Sequence, residues 1–426
     1  MRGHRGTLVR SLLAAALMAT AAGQANDHSA HAGSSVRSSQ KITLTLWYWN
    51  RSIDDALLAQ VGKEFPNISL QAEKIGGDYN SKLRTTLAGQ TDLPDIVGLN
   101  NDISVYYPDE TQFANLLDLG AGAVKTEYLG WKWDAGIAPD GRMLGFPMDT
   151  GPTALFYRAD LFKKAGLPTD PQKVSALLAT WDAYLRTGQT LQAAVPGAHM
   201  LDNITNVFMQ VMAQSPRQYE DVAGHYIAAQ AHVRRAWDLA VQAHRLHLSA
   251  TAAGFTTDWN AAISTGKVAS FVGAVWMKDV LRDAAPTTAG EWRVARAPGG
   301  AGNNGGSFLG IPAASPHPKE AFAVIRWLEA PRQQLQAYAD IDLFPSAPGI
   351  YHTATLDHPE PFYGGQKTTD VFAASAERVK PAYFSPAYDT INAVFQLELL
   401  NIDALDKNPH RAWNDAQHEI TRELSH

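Results

Sequence analysis

The sequence predicts an α/β fold built as two lobes, on three observations. Between Ile42 and Leu99, strand-like and helix-like segments alternate in β-α-β-α-β order. A strand-like run is then broken at Asp149-Thr150-Gly151-Pro152, as where a chain passes from one lobe to another. The chain, at 426 residues, is also too long for one compact core of ordinary size.

The first segment reads as an export signal. Arg2, Arg5 and Arg10 accompany the apolar stretch Leu8 to Ala22, which ends in the small residues Gly23-Gln24-Ala25. The apolar run is shorter than the ~20 residues that span a bilayer and is rich in Ala. Cleavage is expected after Ala25, with Ala21 or Ala22 as alternatives. The chain contains no cysteine. It therefore has no disulfide, no thiolate metal site and no residue for lipoprotein acylation after the signal. A freely diffusing periplasmic protein follows. Residues 26–40 read as a flexible polar leader, and His28 and His31 as part of that solvated tail rather than as metal ligands.

The body begins with ITLTLWYW (Ile42 to Trp49), β-branched and aromatic residues in strand alternation. A helix is expected next, capped by Ser52, with Asp54 and Asp55 in its first turn and Ala56, Leu57, Val61 and Phe65 on its apolar face. Pro66-Asn67 stops it. Ile68 to Ile75 reads as a strand, Tyr79 to Leu87 as a helix and Asp95 to Leu99 as a short buried strand. That order implies a parallel sheet, whose ligands sit beyond the carboxyl ends of the strands, here Trp47 to Asn50 and Asn100 to Asp102. Helices dominate from Arg158 to Thr265. Strand periodicity returns at Val268 to Trp276, Trp292 to Ala297 and Ser307 to Ile311. From Pro318 onward the chain reads as helical. The net charge of −6, with no basic stripe and no aromatic RNA-binding motif, excludes nucleic acid as a partner.

Taken in order, TLWYWN, EFPNISL, LPDIVGLN, FPMDTGPTALFYRADLFKKAGLP, VASFVGAVWM, NNGGSFLGIPAASPHPKEAFAVIRWL and LFPSAPGIY resemble extracellular solute-binding protein family 1, the maltose-binding-protein-like components of bacterial ATP-driven sugar importers. The resemblance covers the mature chain. It implies a two-lobed periplasmic binding protein fold of type II, with the ligand in a cleft between lobes joined by hinge crossings. On this basis residues 41–148 and 273–310 form the N-terminal lobe, and 149–272 and 311–426 the C-terminal lobe. Crossings fall near Asp149 to Thr153, Val272 to Ala274 and Phe308 to Pro312. The implied partners are a carbohydrate and the permease subunits of an ABC transporter in the inner membrane, with the binding protein itself monomeric.

A sugar offers hydroxyls that need hydrogen bonds and C–H faces that suit an aromatic plate. The resemblance puts Trp49 and Asn50 at the cleft mouth and Trp47 in the core. Tyr79, in a Gly-Gly-Asp-Tyr turn, and Asn100 and Asp102, after a strand end, are further candidates. Asp149 sits at a crossing. Trp259 and Trp276 are the candidate plates of the second lobe, with Phe344, Tyr363 and Tyr388 weaker. The run Gly302 to Ser307 lacks the Lys-Ser/Thr ending of a phosphate loop and precedes a strand. Gly305 and Gly306 are instead expected to let backbone N–H groups approach a sugar hydroxyl.

No catalytic residue, metal ligand or cofactor is expected. The GxSxG elbow is absent, and His418-Glu419 lacks the second histidine of a zinc helix. Two readings compete with capture of a sugar. An exported carbohydrate-active enzyme needs two carboxylates about 5 to 10 Å apart, and a binding protein for a non-sugar solute needs no aromatic plates.

Overall fold

The computed structural model describes residues 41–425; the expected signal peptide and leader lie outside the described residues. Two larger sheets and a small one organise the chain. The first has five strands in the order β2-β1-β3-β9-β4. β1 (Ile42–Tyr48) lies parallel to β2 (Ile68–Lys74) and β3 (Ile96–Leu99), as the β-α-β-α-β order requires. β4 (Phe146–Pro147) and β9 (Phe308–Gly310) run antiparallel to each other, and β9 antiparallel to β3.

Alternation along β1 sorts its side chains to opposite faces. Leu44, Leu46 and Tyr48 enter one core with the helices Pro318–Leu328 and Pro331–Ile341, while Trp47 joins Tyr79, Leu83 and Val97 in another. The expected helix after β1 forms as two short turns, Asp55–Leu58 and Val61–Glu64. Its cap is Asp54, which accepts the Ala56 N–H at 2.9 Å, and not Ser52.

The second sheet has three antiparallel strands in the order β7-β6-β8: β6 is Thr153–Arg158, β7 Ser270–Ala274 and β8 Trp292–Arg296. β6 is buried on both faces, with Leu155 and Tyr157 in one core and Ala154 and Phe156 in the other. A two-stranded sheet of β5 (Asp149–Thr150) and β10 (Phe344–Pro345) lies where the chain passes between the larger sheets.

These pairings correct the expected lobe boundaries. Val272 to Ala274 is not a crossing, because β7 and β8 both pair with β6; the segment from 273 to about 297 stays with the second sheet. Conversely, Ala321, Phe322, Ile325 and Ala337 pack in the core of the first sheet, so the helices Pro318–Leu328 and Pro331–Ile341 belong there, while the last helices, Tyr388–Leu405 and Pro409–Glu423, pack with the second sheet. The third crossing is the stretch before β9, where Asn303 bridges Pro152. Gly151 is constrained at this contact. A Cβ on it would lie 2.0 Å from the Asn304 carbonyl oxygen, so only glycine lets the two crossing segments touch.

Candidate ligand-binding cleft

A groove of about 420 Å³ opens on the second lobe, within the range of small-molecule sites. Its walls are the helix Ile204–Ala213, the loop 251–256, the carboxyl end of β7, Trp276, Asn304 from the crossing, and the helix Tyr388–Leu405. Trp276 stands two residues beyond β7 and is half-buried. Its indole N–H donates to the Asn304 carbonyl at 2.9 Å, fixing the ring plane. Phe255 stacks on it, centroids 5.9 Å apart and planes 22° apart. Phe255 is 68% exposed and holds a left-handed backbone, φ 64°, a conformation that costs a bulky residue energy and persists only where its surroundings enforce it.

Polar groups line the groove as well. Asn206 and Gln210 stand one turn apart on a mostly apolar helix, and Gln210 Nε2 donates to Asn206 Oδ1 at 3.2 Å. Gln210 Oε1 is buried with no hydrogen-bond partner among the described residues. Asp202 accepts the Asn203 N–H at 2.9 Å, Asn206 Nδ2 at 3.1 Å and the Trp259 indole N–H at 3.3 Å. Burial nevertheless raises its carboxyl to about 6, against the pull of those bonds. Trp259 is fully buried and sits edge-on to Phe271, 5.6 Å between centroids. It forms the floor of the groove, with its one polar atom already occupied.

The first lobe contributes a separate wall. Ser52 closes the turn after β1, donating to Trp49 O at 2.8 Å and accepting the Trp49 N–H at 3.1 Å. Trp49, half-buried, rests on Gly98, where a Cβ would meet its ring at 2.8 Å, and on Tyr79, 5.0 Å between centroids. Tyr79 is buried, and its hydroxyl donates to Gly98 O at 2.8 Å. It packs against Trp49 and lies buried where the sequence suggested a ligand contact. Asn50 is exposed. Asn100 Oδ1 accepts the Asn101 N–H at 2.9 Å. Asp102 starts the helical turns Ile103–Gln112 without a side-chain cap bond, and burial, with the Asp389 carboxylate second, raises it to about 6. None of these first-lobe residues lines the groove. The walls meet at the rim, where Ser104 Oγ donates to Phe384 O at 2.6 Å and accepts the Phe384 N–H at 3.0 Å.

Residues 56–360 match the family described as bacterial extracellular solute-binding protein. The chain belongs to that family. A crystal structure of an extracellular solute-binding protein family 1 member superposes with a TM-score of 0.85 at 29% identity, over 89% of this chain and 99% of that one. The lactose-binding protein of Rhizobium radiobacter is 26% identical over 78% of this chain and 81% of its own length. The galacto-N-biose-/lacto-N-biose I-binding protein of Bifidobacterium longum, in complex with lacto-N-biose, shares the fold at TM-score 0.75 and 20% identity, over 91% and 98%.

In this solute-binding protein the crossing residues serve the junction between lobes. Asp149 is buried and accepts the Ser307 N–H at 2.8 Å. Burial raises its carboxyl although Lys132 opposes, and burial brings the Lys132 ammonium down to about 7 against the attraction of Asp149 and Glu329. Gly306 presses on Asp149 O and Gly305 on the Trp276 indole, where added Cβ atoms would lie at 2.7 and 3.0 Å. The two glycines thus seat the crossing strap against protein atoms, a different reason for glycine from the expected approach to a sugar hydroxyl. Phe344 and Tyr363 are fully buried, and Tyr388 stacks on Tyr219 at 5.2 Å.

Sequence reasoning missed Phe255, Asn206 and Gln210. The amides carried a readable signal, two polar residues at i and i+4 on the apolar run ITNVFMQVMA. Phe255 carried a weaker one, a lone aromatic beside Gly254 in a stretch of small and polar residues. Among the described residues no group of three or more His, Asp or Glu is placed to hold a metal ion.

Proposed function

We propose that this protein captures a carbohydrate in the periplasm, after export by a cleaved signal, and delivers it as a monomer to the permease of an ABC importer. The observation that carries this reading is the juxtaposition in one groove of the Trp276 and Phe255 rings with the Asn206 and Gln210 amides. Aromatic faces match the C–H faces of a pyranose, and amides donate to and accept from its hydroxyls. Family membership supports the transport role, and the relative named for lactose supports a saccharide of that size.

In this reading the second-lobe groove engages first. The first-lobe wall of Trp49, Asn50, Asn100 and Asp102 then closes over the ligand by rotation at the crossings, and the closed pair of lobes is the form a permease recognises. The protein makes and breaks no covalent bond. Release requires moderate affinity, near micromolar, or about −8 kcal/mol.

The test is a thermal-shift and calorimetric screen of the mature chain against lactose, other disaccharides, monosaccharides, amino acids and short peptides. The expected outcome is saturable binding of at least one saccharide with no product formed. Binding confined to amino acids or peptides, or turnover of a saccharide, overturns the reading.

A further inference from the structure

We infer that the saccharide taken up by the groove carries an apolar substituent, an aryl or alkyl group. This rests on the carbohydrate reading and deepens it. Three of the seven large hydrophobic side chains that stand exposed among the described residues converge on this groove: Phe255 at 68%, Leu397 at 56% and Leu400 at 47%. Contiguous exposed apolar surface in a concavity marks a binding site. The two leucines stand three residues apart on the helix Tyr388–Leu405 and so share its groove-facing side.

A bare sugar does not account for these residues. Trp276 offers a flat face to a pyranose ring, but a leucine is branched and has no flat face. Packed against hydroxyls, it would strip their water without returning a hydrogen bond. The polar groups of the groove come from both helices: Asp202, Asn206 and Gln210 from the helix Ile204–Ala213 and the turn before it, and Gln396 and Asp403 from the leucines' own helix, where Asp403 is already bonded to Ser249 Oγ at 2.7 Å. The groove therefore has amides able to bind a glycone and, in the two exposed leucines, an apolar strip able to bind what the glycone carries. Phe255, held in its left-handed backbone and stacked on Trp276, stands exposed beside them, where it can contact both parts.

The experiment titrates the mature chain with methyl β-lactoside and phenyl β-lactoside by calorimetry. The expected result is at least fivefold tighter binding of the phenyl compound. In the double variant Leu397→Ser/Leu400→Ser that preference falls to within twofold of unity. Leu405→Ser, on the same helix but outside the groove, retains it and reports that a serine on this helix does not by itself erase the preference. Equal affinities in the wild-type chain, or a preference that survives in the double variant, overturn the inference while leaving capture of a carbohydrate standing, since methyl β-lactoside binding is read in the same titration. Binding of neither lactoside overturns the inference as well, and the saccharide screen above then decides the broader reading on its own.

Discussion

The two walls of the cleft are built differently. The second-lobe wall is a preformed groove whose principal ring, Trp276, is locked by a hydrogen bond to Asn304. The first-lobe wall has an aromatic of similar size, but Trp49 leans on Gly98 and Tyr79 and does not line the groove. A preorganised wall spends less of its interaction energy on ordering side chains, so it is the better place to vest affinity. A wall that contributes only once the lobes meet is better placed to report closure. The comparison predicts unequal division of labour between two tryptophans that sequence composition treats alike.

Removing one ring at a time tests that division most severely. Trp276→Ala is expected to weaken saccharide binding by about 1 to 3 kcal/mol, the range for a buried aromatic anchor. Trp49→Ala is expected to cost less than about 1 kcal/mol in calorimetry, while reducing the ligand-induced compaction seen by small-angle scattering. Equal losses of affinity from both variants, with compaction intact in both, would remove the distinction between the walls.

The same contrast marks what was legible in the sequence. The β1 alternation and the β-α-β-α-β order are local patterns, and the structure follows them, down to Trp47 and Leu46 on opposite faces. Val268 to Trp276 and Trp292 to Ala297 were also legible as strands, but strand periodicity says nothing of which sheet a strand joins. Their pairing with β6 is a contact between residues more than a hundred positions apart, and it moved the lobe boundary. The helix Pro318–Leu328 likewise shows an apolar face that fits either core. In the cleft, Trp276 was legible because it follows a strand end. Tyr79 and Trp259 were indistinguishable from it as aromatic residues; only the structure shows both rings buried where Trp276 is half-buried.

A second difference is electrostatic. The first-lobe wall carries Asp102, whose carboxyl makes no cap bond and lies near Asp389 and Tyr106, opposed by a backbone N–H and by Arg84. A carboxyl raised from its ordinary value to about 6 binds its proton more tightly in the folded chain than in the unfolded one. Between about pH 4 and pH 6 the folded state therefore holds the extra proton, and stability falls as pH rises through that window. Asp102→Asn should be indistinguishable from the wild type at pH 4 and more stable by about 1 to 2 kcal/mol at pH 7, after allowing for solvent screening of a half-buried group. Denaturant unfolding at both pH values checks this. A difference that does not change with pH would show that Asp102 ionises without penalty and does not wait on a partner across the cleft.

The smallest expected effect concerns the tie between the walls. Arg51, next to the Trp49 turn and in a left-handed backbone at φ 63°, forms an ion pair with Asp279 on the second-lobe helix Met277–Ala284, and Asp279 also pairs with Arg282. The Arg51 side chain is half exposed, so its contribution is held to the range of surface pairs, about 0.2 to 1 kcal/mol. If the lobes close as proposed, the pair joins the two walls, and its loss lowers affinity through the closure equilibrium while leaving the groove contacts intact. Arg51→Ala should therefore bind saccharide less than about fivefold more weakly at low salt and match the wild type in about 1 M salt, where charges are screened beyond ~3 Å. The Trp276→Ala deficit should persist at both salt concentrations. An Arg51→Ala deficit that persists in high salt would assign Arg51 to the ligand itself, and would make the first-lobe wall a binding surface in its own right.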